Sequence, residues 1–126
     1  MAKRIASCAC GTLSASVETE PVKISLCHCE ACKKRTGSAF GVAVFFGRDD
    51  AKTTGPSHVF TRRGESGKRV TFHFCPDCGS TVFWYPEFRP DRIAIALGAF
   101  GDDPGLVPEQ AVHGERKAPW VTIDLP

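Results

Sequence analysis

Three thiols fall within six residues at Cys27-His28-Cys29-Glu30-Ala31-Cys32, and two further pairs stand at Cys8-Ala9-Cys10 and Cys75-Pro76-Asp77-Cys78. Alternate residues of an extended chain point to opposite sides, so Cys27 and Cys29 share a face, and a turn after Cys29 can bring Cys32 round to join them. Such a thiolate tripod suits Zn²⁺ at Zn–S distances of about 2.3 Å, and the lack of an obvious local fourth ligand leaves a coordination position open for chemistry. The C-x-C and C-x-x-C pairs together make a closed tetrahedral set of the structural kind, tying the start of the chain to a distant strand end. Spacing leaves other partitions open, including a triplet that borrows a ligand from either pair. Two plainer readings also stand. One structural metal could leave the other thiols as small buried hydrophobes, or the triplet could do redox chemistry, although no thioredoxin-like βαβ pattern surrounds it.

The rest of the chain bounds these readings. At 126 residues one domain spanning 1–126 is expected, large enough to bury roughly two-thirds of its unfolded surface. No apolar run approaches the ~20 residues that span a bilayer, and the first residues lack the apolar stretch of about 7–15 that a signal peptide requires. A cytoplasmic location is therefore expected, where seven cysteines argue for reduced, metal-binding thiols over a disulfide framework. The formal charge of +2 falls to about −1 once seven ligating thiolates and two zinc ions are counted. A basic balance thus gives little support to nucleic-acid binding.

The elements that must position the thiols read as short strands. Arg4 to Ser7 leads into the first pair, and Leu13, Ala15 and Val17 alternate beyond it. Glu18 to Pro21 makes a turn, after which Val22, Ile24 and Leu26 alternate and deliver the chain into the triplet. Glu30 to Thr36 can form one or two helical turns, with Gly37 as the stop. Phe40 to Phe46 is the most apolar segment and reads as a central strand with Phe40, Val42, Val44 and Phe46 on one face. Gly47 to Pro56 reads as loop. His58 to Arg62 and Lys68 to Phe74 form a hairpin about Gly64-Glu65-Ser66-Gly67, with Val70, Phe72 and Phe74 facing the core and Arg69, Thr71 and His73 facing out. Thr81 to Tyr85 and Arg92 to Leu97 are further strands, and a Gly/Asp/Pro-rich loop precedes the tail. No long helix and no repeat is indicated.

Several other side chains carry a functional reading beside an ordinary one. His28 could be a fourth ligand or proton shuttle, yet in an extended segment it points away from Cys27 and Cys29. Lys33, Lys34, Arg35, Arg62 and Arg63 could pair with substrate carboxylates, or form a solvated face. Trp84, Tyr85 and Phe88 could wall a pocket or pack the core. His113, Lys117 and Trp120 read as a structural closing segment, with Trp120 docking the tail.

Taken together, Cys27-His28-Cys29-Glu30-Ala31-Cys32-Lys33-Lys34-Arg35-Thr36-Gly37-Ser38-Ala39-Phe40, Phe74-Cys75-Pro76-Asp77-Cys78-Gly79-Ser80 and the ending His113-Gly114-Glu115-Arg116-Lys117-Ala118-Pro119-Trp120 resemble the glutathione-dependent formaldehyde-activating (Gfa) family, which includes centromere protein V. The resemblance runs from about Cys8 to Trp120. It implies an all-β, β-tent fold of small antiparallel sheets around zinc, with few or no helices. It also implies two zinc ions per chain, a structural one on Cys8, Cys10, Cys75 and Cys78 and a catalytic one on Cys27, Cys29 and Cys32. The implied activity is that of a carbon–sulfur lyase, S-(hydroxymethyl)glutathione synthase, with glutathione and formaldehyde as partners.

An open zinc position can hold a thiol as thiolate or polarise a carbonyl, and either helps sulfur add to an aldehyde carbon. Thiols also add to formaldehyde unaided, so a carrier role is a rival, as are a non-catalytic zinc interaction module and a thiol-redox protein. A homo-oligomer with a site shared between subunits stays open.

Overall fold

The structure is a computed structural model and describes residues 3–125. Its strands form two sheets. β1 (Arg4–Ser7), β2 (Ser14–Val17) and β5 (Ala51–Thr54) make a three-stranded antiparallel sheet in the order β1-β2-β5. The larger sheet has seven strands in the order β10-β3-β4-β9-β8-β7-β6: β3 is Lys23–Cys27, β4 Gly41–Gly47, β6 His58–Arg63, β7 Arg69–Phe74, β8 Thr81–Pro86, β9 Arg92–Ala96 and β10 Gln110–Val112. Its neighbours are antiparallel except β10, which runs parallel to β3. The expected all-β architecture holds, with α1 (Glu30–Thr36) the one α-helix among the described residues.

The two-residue period of the strands gives the large sheet two distinct apolar faces. Val44 and Phe46 of β4, Phe83 of β8 and Ile93 and Ile95 of β9 are buried against Ala6, Leu13, Ala15 and Val17 from the small-sheet side. Burying each large side chain here contributes roughly 1.5–3 kcal/mol. The intervening residues point the other way, where Val70, Phe72, Trp84 and Ala94 form a second cluster with Ala43, Phe45 and Ala96. That second face is the floor of the cavity described below.

Several expectations change once the strands are paired. The segment 47–56 is not simply loop: a 3₁₀ turn at Arg48–Asp50 is followed by β5, whose Ala51 pairs with Val17 and whose Thr54 pairs with Ser14. Its Ala-Lys-Thr-Thr sequence has little apolar period, and its strand state comes from β2. The hairpin of β6 and β7 forms about Gly64 and Gly67, with Arg63 opposite Arg69. Val70 and Phe72 are buried as expected, but on the cavity side, while Phe74 is only half-buried. His73, expected to face out, stacks on Phe83 with ring centroids 4.7 Å apart.

The tail also differs. Residues 110–112 add β10 beside β3, where the sequence offered only a loop and a closing segment. Trp120 does not dock the tail: it is 78% exposed, and its neighbour Val121, 6% exposed, is the buried anchor.

Gly55 makes one tight approach that only glycine allows. Its φ is +100°, and a Cβ there would lie 1.9 Å from the Thr12 carbonyl oxygen. Gly55→Ala is expected to destabilise the protein by at least the ~1–3 kcal/mol of a strained backbone, read as a lower denaturation midpoint in the metal-saturated protein. An unchanged midpoint would contradict the close packing of the β5 end against the turn that carries Cys10.

Candidate metal centre

Two turns of the same design bring four thiols together. Cys8 and Cys10 stand on the turn after β1, and Cys75 and Cys78 on the turn after β7. In the first, Cys8 N–H donates to the Leu13 carbonyl at 2.9 Å and Gly11 N–H donates back to the Cys8 carbonyl at 3.0 Å. In the second, Cys75 N–H donates to the Ser80 carbonyl and Gly79 N–H to the Cys75 carbonyl, both at 2.9 Å. Gly11 and Gly79 have φ of 86° and 79°, the left-handed region that lets each turn close.

The sulfurs then meet. Cys10 Sγ lies 3.6 Å from both Cys8 Sγ and Cys75 Sγ, close to the ~3.8 Å edge of a tetrahedron with Zn–S bonds of about 2.3 Å. The one-to-one set Cys8, Cys10, Cys75 and Cys78 could hold a metal ion, all four sulfurs lying within 4.8 Å of one another. Backbone N–H groups are aimed at them: Leu13 N–H at Cys8 Sγ at 3.2 Å, and Asp77 and Cys78 N–H at Cys75 Sγ at 3.4 and 3.5 Å. Donors of this kind stabilise thiolates, the form that binds metal. Accordingly the Leu13 N–H lowers the Cys8 thiol, and hydrogen bonds from Ser80 hold Cys78 down to about 5.

The triplet is built at the junction of β3 and α1. Cys27 is the last residue of β3, Cys29 is the N-cap of α1, and Cys32 lies in its first turn. The Cys29 sulfur caps the helix by accepting from Cys32 N–H at 3.4 Å, and Gly37 closes the other end with φ 68° and an N–H donated to the Lys33 carbonyl. The helix is thus fixed at both ends. The three sulfurs lie within 4.8 Å of one another and form the second set that could hold a metal ion. The contact between Cys27 and Cys32 raises the first thiol and lowers the second.

His28 is carried away from both sets. It is 1% exposed, with its ring edge-on to Phe40 at 6.0 Å and Nδ1 without a hydrogen-bond partner. Burial lowers its pKa and keeps the imidazole neutral.

The triplet opens into a cavity of about 850 Å³ on the exposed face of the large sheet. Arg35, Arg62 and Arg63 line it, as the sequence suggested, whereas Lys33 and Lys34 do not: Lys33 Nζ donates to the Arg116 carbonyl and Lys34 pairs with Glu30 at 3.3 Å. Trp84 and Phe88 also line it, but Tyr85 projects from the opposite face of β8, beneath the Arg48 guanidinium at 4.3 Å. The lining includes Lys23, Lys68, Arg89, Arg92 and Arg116, which sequence reasoning passed over because they lie far apart in the chain. His113, read as structural, lies in the wall as well, while Lys117 and Trp120 do not. Among the described residues, eight lysine and arginine side chains and two carboxylates, Glu30 and Glu65, line the cavity.

One metal ion per cluster is expected by elemental analysis of chelator-free protein. Cys29→Ser is expected to remove one ion and leave the circular dichroism of the fold intact. Cys75→Ser is expected to remove the other and cost several kcal/mol of stability, because a structural zinc contributes about 10–16 kcal/mol in small domains. Equal metal content in wild type and both variants would overturn the two-centre assignment.

Comparison with known proteins agrees with this architecture. No curated protein matches the sequence. A crystal structure of a Rhodobacter sphaeroides protein superposes with a TM-score of 0.61 over 82% of this chain and 97% of that one, at 20% identity, which shows a shared fold. No helix among the described residues is long and apolar enough to cross a membrane. The family model described as glutathione-dependent formaldehyde-activating enzyme matches residues 3–116, and with nearly the whole chain covered, this protein belongs to that family.

Proposed function

We propose that the protein is a zinc-dependent carbon–sulfur lyase of the S-(hydroxymethyl)glutathione synthase kind. It joins a carboxylate-bearing thiol such as glutathione to formaldehyde, and releases both in the reverse direction. The observation that carries this reading is that the Cys27, Cys29 and Cys32 triplet shares a cavity with eight lysine and arginine side chains and two acidic ones among the described residues. Cys8, Cys10, Cys75 and Cys78 would hold a structural zinc, and the triplet a catalytic one. When bound at the triplet, zinc supplies a thiol site of lowered pKa and an electrophile for a carbonyl oxygen.

The chain's own residues do the rest. Ala43, Phe45, Val70 and Trp84 give the cavity an apolar floor, which limits water around the reacting atoms and strengthens the charges above it. The guanidinium of Arg62 lies over the Phe72 ring at 5.4 Å and that of Arg35 over Trp84 at 4.3 Å. Aromatic support of this sort holds a guanidinium flat while its N–H groups stay free for an anion. A thiol with two carboxylates thus meets complementary charge wherever it extends along the cavity. Neutral thiols lack that attraction.

Exchange between free thiol and its S-hydroxymethyl adduct can be followed by NMR magnetisation transfer with the uncatalysed rate subtracted. The protein is expected to accelerate exchange of glutathione, with KM at least about tenfold higher for the glutathione dimethyl ester, since one lost charge-assisted contact costs roughly 1.5–3 kcal/mol. Saturable glutathione binding without acceleration would make the protein a carrier instead. Equal KM for the acid and the ester would remove the charge argument.

A further inference from the structure

The cavity's basic side chains are not equivalent, and Arg35 differs from the others in its place beside the triplet. It is the one nearest the triplet by construction, since it follows Cys32 by a single turn of α1. Its guanidinium is tucked in beside the cluster: a Cβ placed on Gly41 would lie 2.6 Å from Arg35 Nη2 and 3.4 Å from Cys32 Cβ. Gly41 is in turn the register partner of Cys27. The absence of a side chain at position 41 therefore leaves the room that the guanidinium occupies beside Cys32.

Arg35 is also held without being neutralised by a carboxylate. Trp84 supports its flat face, and among the described residues it forms no ion pair. Glu30, the nearest acid on the same helix, is engaged by Lys34 at 3.3 Å and by Arg116 at 3.7 Å. A half-buried guanidinium held flat on an aromatic ring and unpaired with any carboxylate is the kind of donor that stabilises an oxyanion as it forms.

Resting on the thiol–aldehyde reading above, we propose that Arg35 is a catalytic residue that donates hydrogen bonds to the aldehyde oxygen during carbon–sulfur bond formation. The thiol first gives its proton to solvent. Its sulfur lone pair then forms the S–C bond, the C=O π pair moves onto oxygen, and the resulting alkoxide, held by Arg35, takes a proton from water. The sum is one thiol and one aldehyde giving one hydroxymethyl thioether-type adduct. The reverse reaction runs through the same donor. Position separates this role from carboxylate recognition: in a glutathione-like thiol the carboxylates lie many bonds from sulfur, whereas the adduct oxygen is separated from it by one carbon. The outer arginines meet the former and Arg35 the latter.

The test uses full-length, zinc-loaded protein and three variants: Arg35→Met, Arg35→Lys and Gly41→Ala. The last keeps the charge and moves it, because the atom in the way is the far end of a flexible side chain. Metal per chain is measured alongside kcat and KM for glutathione in the NMR exchange assay. Unchanged metal content, a kcat about 100-fold lower in Arg35→Met with KM within about threefold, and an intermediate loss in Gly41→Ala are expected. Arg35→Lys, which retains charge but not the fork, is expected to fall between Arg35→Met and wild type. A raised KM with normal kcat would overturn the proposal by making Arg35 a carboxylate anchor. Loss of one metal from both Arg35→Met and Arg35→Lys would overturn it by making the residue a support for the cluster. Wild-type activity in all three variants would sink the proposal alone, whereas a wild type that gives no acceleration would sink the thiol–aldehyde reading as well.

Discussion

The two-residue period of the seven-stranded sheet couples the core to the cavity. Along β4, Val44 and Phe46 are buried against the small-sheet side while Ala43 and Phe45 turn to the cavity, and β9 repeats this with Ile93 and Ile95 against Ala94 and Ala96. A slip of one residue in either strand would exchange the two sets and leave large side chains in the cavity. The same alternation runs down β3, where Ile24 joins the core and Ser25 and Cys27 face the cavity. It also explains His28. One residue past Cys27, its side chain falls on the covered side and is sealed in, so the local ligand that spacing would offer is removed by strand geometry.

A second constraint acts through the cysteine turns. Each pair is presented by a turn that spends its backbone N–H groups on sulfur, and the two turns lie at the ends of β1 and β7, in different sheets. Sulfurs 3.6 Å apart repel once ionised, and a bound cation offsets that repulsion. The cluster lies where the small sheet meets the large one: Cys8 and Cys75 are buried in the core the sheets share, while Cys10 and Cys78 are exposed. Gly55, pressed on the Thr12 carbonyl, anchors β5 against the first of these turns.

The cavity's electrostatics follow from which charges are already paired. Glu30 is taken by Lys34 and Arg116, and Glu65 lies 3.9 Å from His113. Arg35 and Arg62 are instead laid on aromatic rings, which stabilise a cation without cancelling it. An apolar floor with Lys and Arg side chains above it leaves the cavity with an excess of positive charge. Among the described residues, the triplet supplies the only sulfur ligands that face this space.

Much of this was legible in the residues themselves. Strand alternation marked β2, β3, β4, β7 and β9, cysteine spacing marked both clusters while leaving their partition open, and Gly37 marked the end of α1, because each signal is local and repeats over a few residues. Where pairing is supplied by a neighbour the signal vanished: Ala51–Thr54 and Gln110–Val112 have almost no apolar period and become strands only beside β2 and β3. The choice between Trp120 and Val121 as the tail anchor was likewise made by contacts far away in the chain. Family membership rests on motifs that a one-dimensional chain can carry. The cavity does not: its cations come from β3, α1, β6, β9 and the loops between, and only the folded sheet gives those scattered side chains one face and one charge.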